Sequence, residues 1–236
     1  MKTVLHKAES RGHASHGWLD TYHTFSFANY YDPERIRFGV LRVLNDDMVA
    51  PGMGFGTHPH DNMEIITIPL EGALEHKDSM GNSSVIRTND IQVMSAGTGI
   101  SHSEYNNSKE KHVSLLQIWI FPREKNVEPR YDQVTLNPED RKNKLQQVLS
   151  PNPGEYGVWI HQDAWFHLGD FDSGKYTEYQ IKRPENGAYL FVIEGDMVVN
   201  GRELTKRDGY GIREAEIIKI TALSDSRFLL MDLPVK

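Results

Sequence analysis

The sequence contains no cysteine among its 236 residues. That excludes a disulfide framework, a thiolate metal site and a cysteine nucleophile, so any bound metal must be held by nitrogen and oxygen ligands. Positive charge is also scarce: 26 Lys and Arg stand against 33 Asp and Glu, for a net charge of −7. A nucleic-acid surface would need a basic patch or stripe, and none is visible. No apolar run approaches a membrane span, and Met1 to Lys7 hold none long enough for a signal peptide. The expectation is a soluble, cytoplasmic protein with no membrane and no direct nucleic-acid partner. Helical periodicity is nearly absent. Short β-branched and aromatic runs punctuated by Gly, Asn, Asp and Pro predict an all-β barrel or sandwich.

What stands out lies between Gly54 and Asn106. His58 and His60 follow a glycine-rich loop, and His102 and Glu104 follow Ala96-Gly97-Thr98-Gly99. Each pair is spaced i and i+2, which puts both side chains on one face of a β-strand; a helix would want three or four. If both segments line one cavity, three imidazoles and a carboxylate can converge on one divalent ion: Fe(II), Mn, Co, Ni, Cu or Zn. Glu64 shares the parity of His58 and His60 and is expected to point inward. Asn106 is expected to brace a turn. His13, His16 and His23, in the aromatic-rich stretch Arg11 to Tyr31, read as packing residues. His76 and His112 read as ordinary core or surface residues. Phe25, Phe27, Phe55 and Trp119 read as barrel core, with one or two at its mouth. A triad of Ser101, His102 and Asp90 lacks the spacing of a nucleophile elbow.

The pattern predicts strands over Tyr22–Phe27, Phe38–Leu44, Glu64–Leu70, Ala73–Lys77, Val85–Arg87, Ile91–Met94 and Val113–Phe121, with Asn45-Asp46-Asp47 as a turn. From Arg123 to Gly154 the chain turns polar and proline-rich, with Arg141 to Leu149 as one helical turn or plain linker. The domains expected are 1–133, a linker over 134–154, and 155–236. An internal echo links the halves. Glu71-Gly72 is followed 19 residues later by Asp90, and Glu194-Gly195 is followed 14 residues later by Asp208. The second copy carries a tight hairpin at Asn200-Gly201. A gap-free count sets His58 and His60 opposite Ile181 and Arg183, and His102 and Glu104 opposite Ile220 and Ala222. No ligand type is retained, so a single metal site is expected, in the N-terminal half.

The two segments resemble the two cupin motifs, the first met by Gly52, His58, His60 and Glu64, the second by Gly99, His102 and Asn106. More narrowly, the chain resembles the pirin family of bicupins. The runs that carry this include Gly17-Trp18-Leu19-Asp20, His23 through Pro33, Gly54 through Asp61, His76 through Asn82 and Met94 through Asn106. The resemblance is close to the bacterial branch with quercetin 2,3-dioxygenase activity. It implies two cupin barrels packed face to face, with one metal, usually iron, held by His58, His60, His102 and Glu104 of the first barrel. It also implies that Glu64 orients a ligand or water without binding the ion. The activity implied is a mononuclear metal-dependent dioxygenase that cleaves quercetin or a related phenolic with O2. Glu104 is the candidate base, because a carboxylate beside a cation stays ionised and can take a hydroxyl proton. The alternative reading is a non-enzymatic metal or redox sensor that acts through a protein partner.

Overall fold

The computed structural model describes residues 1–235. Twenty-two strands make up the fold, and no α-helix occurs among the described residues. In the first half they are β1 (Lys2–His6), β2 (Gly12–Ser15), β3 (Leu19–His23), β4 (Leu41–Val49), β5 (Gly54–His60), β6 (Glu64–Glu71), β7 (Ala73–Asp78), β8 (Ser83–Arg87), β9 (Asp90–Ser95), β10 (Ile100–Asn106), β11 (Val113–Ile120) and β12 (Arg130–Thr135). The second half adds β13 (Gln146–Ser150), β14 (Val158–Trp159), β15 (Trp165–Phe171), β16 (Tyr176–Gln180), β17 (Asn186–Glu194), β18 (Met197–Val199), β19 (Arg202–Leu204), β20 (Gly209–Arg213), β21 (Ile217–Ala222) and β22 (Ser226–Pro234).

They form two barrels of the same plan. The first pairs a seven-stranded sheet, β12-β9-β6-β11-β4-β3-β2, with a four-stranded one, β5-β10-β7-β8. The second pairs β1-β20-β17-β22-β15-β13-β14 with β16-β21-β18-β19. The large sheets face each other across a shared apolar core that includes Ile66, Ile68, Leu116 and Ile118 from one half and Phe166, Tyr189, Phe191 and Leu229 from the other. The two cupin barrels are therefore packed face to face. One border strand crosses over. β1, from the start of the chain, completes the second barrel's sheet by pairing with β20, and β12 closes the first by pairing with β9. The stretch 134–154 holds the end of β12, a 3-10 turn over Pro138–Arg141 and β13, which pairs with β15 of the second barrel.

The echo is structural. Gly72 and Gly195 both take φ near +80° after their apolar strands, a backbone region that costs other residues a Cβ clash. Asp90 accepts the backbone N–H of Arg87, and Asp208 accepts that of Thr205, so each aspartate closes the turn before its strand. Asn200 and Gly201 both have positive φ, as a two-residue hairpin requires. Two local expectations fail. Asn45-Asp46-Asp47 is the middle of β4, because each polar side chain has a buried partner: His23 for Asn45, Arg11 for Asp46 and Thr21 for Asp47. The expected Tyr22–Phe27 strand ends at His23, and Phe25 packs into the shared core instead.

Candidate metal centre

The two barrels differ in what fills them. In the second, Met197, Val199, Leu204, Ile218, Ile220 and Ala222 pack into a continuous apolar core. In the first, two apolar clusters, one around Leu74 and Leu115 and one around Ile65 and Met94, cap opposite ends. Between them runs a polar belt of inward-facing residues: Asn45, Asp47, Thr67, His76, Gln92, His102, Glu104 and Gln117, all buried. So many polar groups are kept in a core only when they bind each other or a ligand.

His58 and His60 on β5 and His102 on β10 meet there. Their ligand nitrogens lie within 4.8 Å of one another. Their ring centroids are 4.5 to 5.0 Å apart. Antiparallel pairing sets His102 directly opposite His58, with a register shift before Glu104. His58 points Nδ1 at the Gly56 carbonyl, 2.8 Å away, and so donates there and leaves Nε2 free. His102 Nε2 is buried with no hydrogen-bond partner in the protein. An orphaned imidazole nitrogen aimed at two other imidazoles fits a metal ligand and little else. Burial, reinforced by neighbouring rings, pushes His60 down to about 4 and His102 down to about 2. Both are therefore neutral near pH 7, the form that ligates.

Glu104 is buried on the same strand. Gln117 Nε2 donates to its two oxygens at 3.1 and 3.3 Å, and Thr67 Oγ1 donates at 3.5 Å. These donors hold the carboxylate on the far side of His102. It clusters with His102 and His76, not with His58 and His60. Burial raises its pKa to about 7 despite those donors, and nearby Asp47 adds to the rise.

Three expectations need revision. Glu64 does not point inward. Chain parity is lost at Asp61-Asn62-Met63, where Asn62 takes φ +46°. Glu64 then sits opposite Ser95 on the sheet face shared with Ile66 and Val93, between the barrels, where Ser95 Oγ donates to it at 2.7 Å. His76, read as an ordinary residue, is fully buried beside His102, at 3.5 Å between Nδ1 atoms. Its spacing from Asp78 was the available signal, a third i, i+2 pair of metal-capable type. The gap-free count between halves is two residues out on both strands. Strand pairing matches Glu104 with Ile220, His102 with Ile218, His58 with Tyr179 and His76 with Val199. No counterpart of His58, His102 or Glu104 in the second barrel is a histidine or a carboxylate.

Asn106 braces the Asn107–Lys111 loop, donating to the Val49 and Lys111 carbonyls and accepting from Ser108 N–H. Asp90 serves its turn, bound to Gln133 and Thr135, and is no partner for His102. A cavity of about 530 Å³ opens between β5 and β3, walled by Trp18, Phe27, Tyr30 and Phe55 and floored by His23, Asn45 and Asp47. It also reaches His13 and His16. Phe27 packs edge-on against Trp119, which packs edge-on against His60, so the cavity wall continues into the site.

Residues 4–120 match the pirin family, and residues 147–233 match the quercetinase C-terminal cupin domain. The chain is 46% identical over 230 residues to the quercetin 2,3-dioxygenase of Escherichia coli K12, covering 98% of each. It is 41% identical over 222 residues to a pirin-like protein of Caulobacter vibrioides, covering 94% of this chain and 95% of that one. Among solved structures it is similar to the bacterial pirin YhhW from Escherichia coli in complex with nickel(II), at TM-score 0.94 and 45% identity, covering both chains fully. A bicupin plan with one polar, histidine-lined barrel, joined to likeness along nearly the whole chain, places this protein in the pirin family.

Proposed function

We propose that this protein is a metal-dependent dioxygenase that opens quercetin or a related flavonol with O2. The observation that carries this reading is the trio His58, His60 and His102, converging beside an aromatic-walled cavity. The residues present fit a metal: three free imidazoles with a buried carboxylate alongside suit Fe(II), Ni(II) and their neighbours. His58, His60 and His102 would hold the ion, with Glu104 as the fourth ligand or the base beside it. When bound, the metal supplies Lewis acidity toward an ionised phenol and an electron route to O2.

The remaining chemistry belongs to the chain. Trp18, Phe27 and Phe55 give a flat polyphenol its apolar walls, while Asn45, Asp47 and His23 offer polar contacts to its hydroxyls. Glu104 accepts the substrate's hydroxyl proton at Oε1 or Oε2. Burial raises its pKa, which strengthens it as a proton acceptor relative to an exposed carboxylate. Gln117 and Thr67 keep its oxygens aimed and stabilise the charge it carries between transfers. Water is kept from the far side by the apolar cluster of Ile65, Met94 and Ile100.

The test is aerobic turnover of quercetin by protein loaded with Fe(II) or Ni(II), beside His60→Ala and Glu104→Ala. Turnover is expected in the parent and lost by at least about 100-fold in each variant. Activity that survives in both variants defeats the reading. A metal-loaded parent that binds no flavonol would favour the sensor instead.

A further inference from the structure

We infer that His76 and Asp78 form a relay that fixes the tautomer and orientation of His102, making His76 a positioning residue for the metal centre. The inference rests on the metal reading of His102 above. Asp78 is anchored first. Its side chain is fully buried, Oδ1 accepts the backbone N–H groups of Met80 and Asn82, and Oδ2 accepts Asn82 Nδ2 at 2.8 Å. His76 Nε2 lies 3.3 Å from Asp78 Oδ2. A carboxylate can only accept, so His76 must carry its proton on Nε2 and present a bare Nδ1.

That bare nitrogen lies 3.5 Å from His102 Nδ1. Two bare nitrogens repel, so His102 must protonate Nδ1 and donate to His76. The proton is then excluded from His102 Nε2, the atom left buried without a partner in the histidine cluster. Polarity thus runs in one direction from Asp78 through His76 to the ligand nitrogen. The contacts of 3.3 and 3.5 Å lie at the long end of hydrogen-bond distances. Packing holds the line: the His76 ring is fully buried, its centroid 4.8 Å from that of Tyr131 and 5.3 Å from that of His102. The metal site gains this way, because a ligand histidine whose other nitrogen is engaged is preset for the ion. His58 reaches the same end through the Gly56 carbonyl.

Imidazole nitrogen-15 spectra of the metal-free protein test this directly. The expected result is a His102 with Nδ1 protonated and Nε2 bare. In His76→Phe the His102 signal should become a tautomer mixture, and Ni(II) affinity, read by competition with a chromophoric chelator, should fall about 10- to 100-fold. Asp78→Asn, which removes the obligate acceptor, should do the same if the phenylalanine variant does not fold. A parent His102 protonated on Nε2 would overturn the relay. So would Ni(II) affinity unchanged in a folded variant, or a Zn(II)-loaded spectrum with His76 itself on the metal. Failure of the parent to bind Ni(II) would instead defeat the metal reading, while the metal-free spectra still decide the relay.

Discussion

Replacing Glu64 with Gln separates the interface between barrels from the metal site. Burial raises the Glu64 carboxyl to about 7 from 4.5, with Ser95 and Arg130 only partly offsetting it. A carboxyl whose folded pKa is raised contributes fully below the unfolded value, and that contribution is lost as pH rises through the folded one. For Glu64 the loss runs from about pH 4.5 to about pH 7. At about 1.4 kcal/mol per pKa unit, the parent should lose about 2.5 kcal/mol between pH 5 and pH 8 from this group alone. Glu64→Gln keeps the shape and an acceptor for Ser95 but cannot ionise. Its stability relative to the parent should therefore improve by about 2.5 kcal/mol over that interval. Urea unfolding of metal-free protein at the two pH values measures it. Ni(II) affinity should not change, because Glu64 faces Ser95 and the second barrel. A stability difference that ignores pH would refute the burial argument, and a weakened metal site would refute the placement.

Gln117→Leu should leave metal bound but lower quercetin turnover about 10-fold, since Glu104 loses the donor to both its oxygens; steady-state kinetics with a nickel assay checks it. Phe55→Ala strips a cavity wall packed 5.2 Å from Trp18. It should raise KM for quercetin about 10-fold with little change in Ni(II) affinity. Gly39→Ala should destabilise the whole protein. Its φ is +57°, and an added Cβ would fall 2.0 Å from the Pro234 carbonyl oxygen. A loss of at least about 2 kcal/mol and a melting point lower by about 5 °C are expected in calorimetry.

The barrel plan was legible because strand pattern and turn chemistry agree over most of the chain. The ligand histidines were legible because i, i+2 spacing on a strand is itself geometry. Glu64 was misread because parity counts hold only while the strand is unbroken, and one left-handed residue at Asn62 resets them. Asn45 to Asp47 read as a turn because those residues favour turns in isolation. Inside a polar barrel their partners lie far off in sequence, and Arg11 reaches Asp46 from 35 residues away. His76 was passed over because no short-range pattern announces which histidine will stand behind another. That depends on register between β7 and β10, which places His76 opposite Glu104.

The crossing of β1 ties the halves at their margin as well as across their faces. β20 is made some two hundred residues after β1, so the earliest strand must wait for the last barrel before it has anywhere to dock. A cut at the junction would leave the later half with a bare edge open to foreign strands and the earlier half with a loose ribbon. Lys7 and the Ala8 N–H, both gripping Asp208, fasten that ribbon at its inner end. Two barrels that look separable are, by this stitching, one indivisible object.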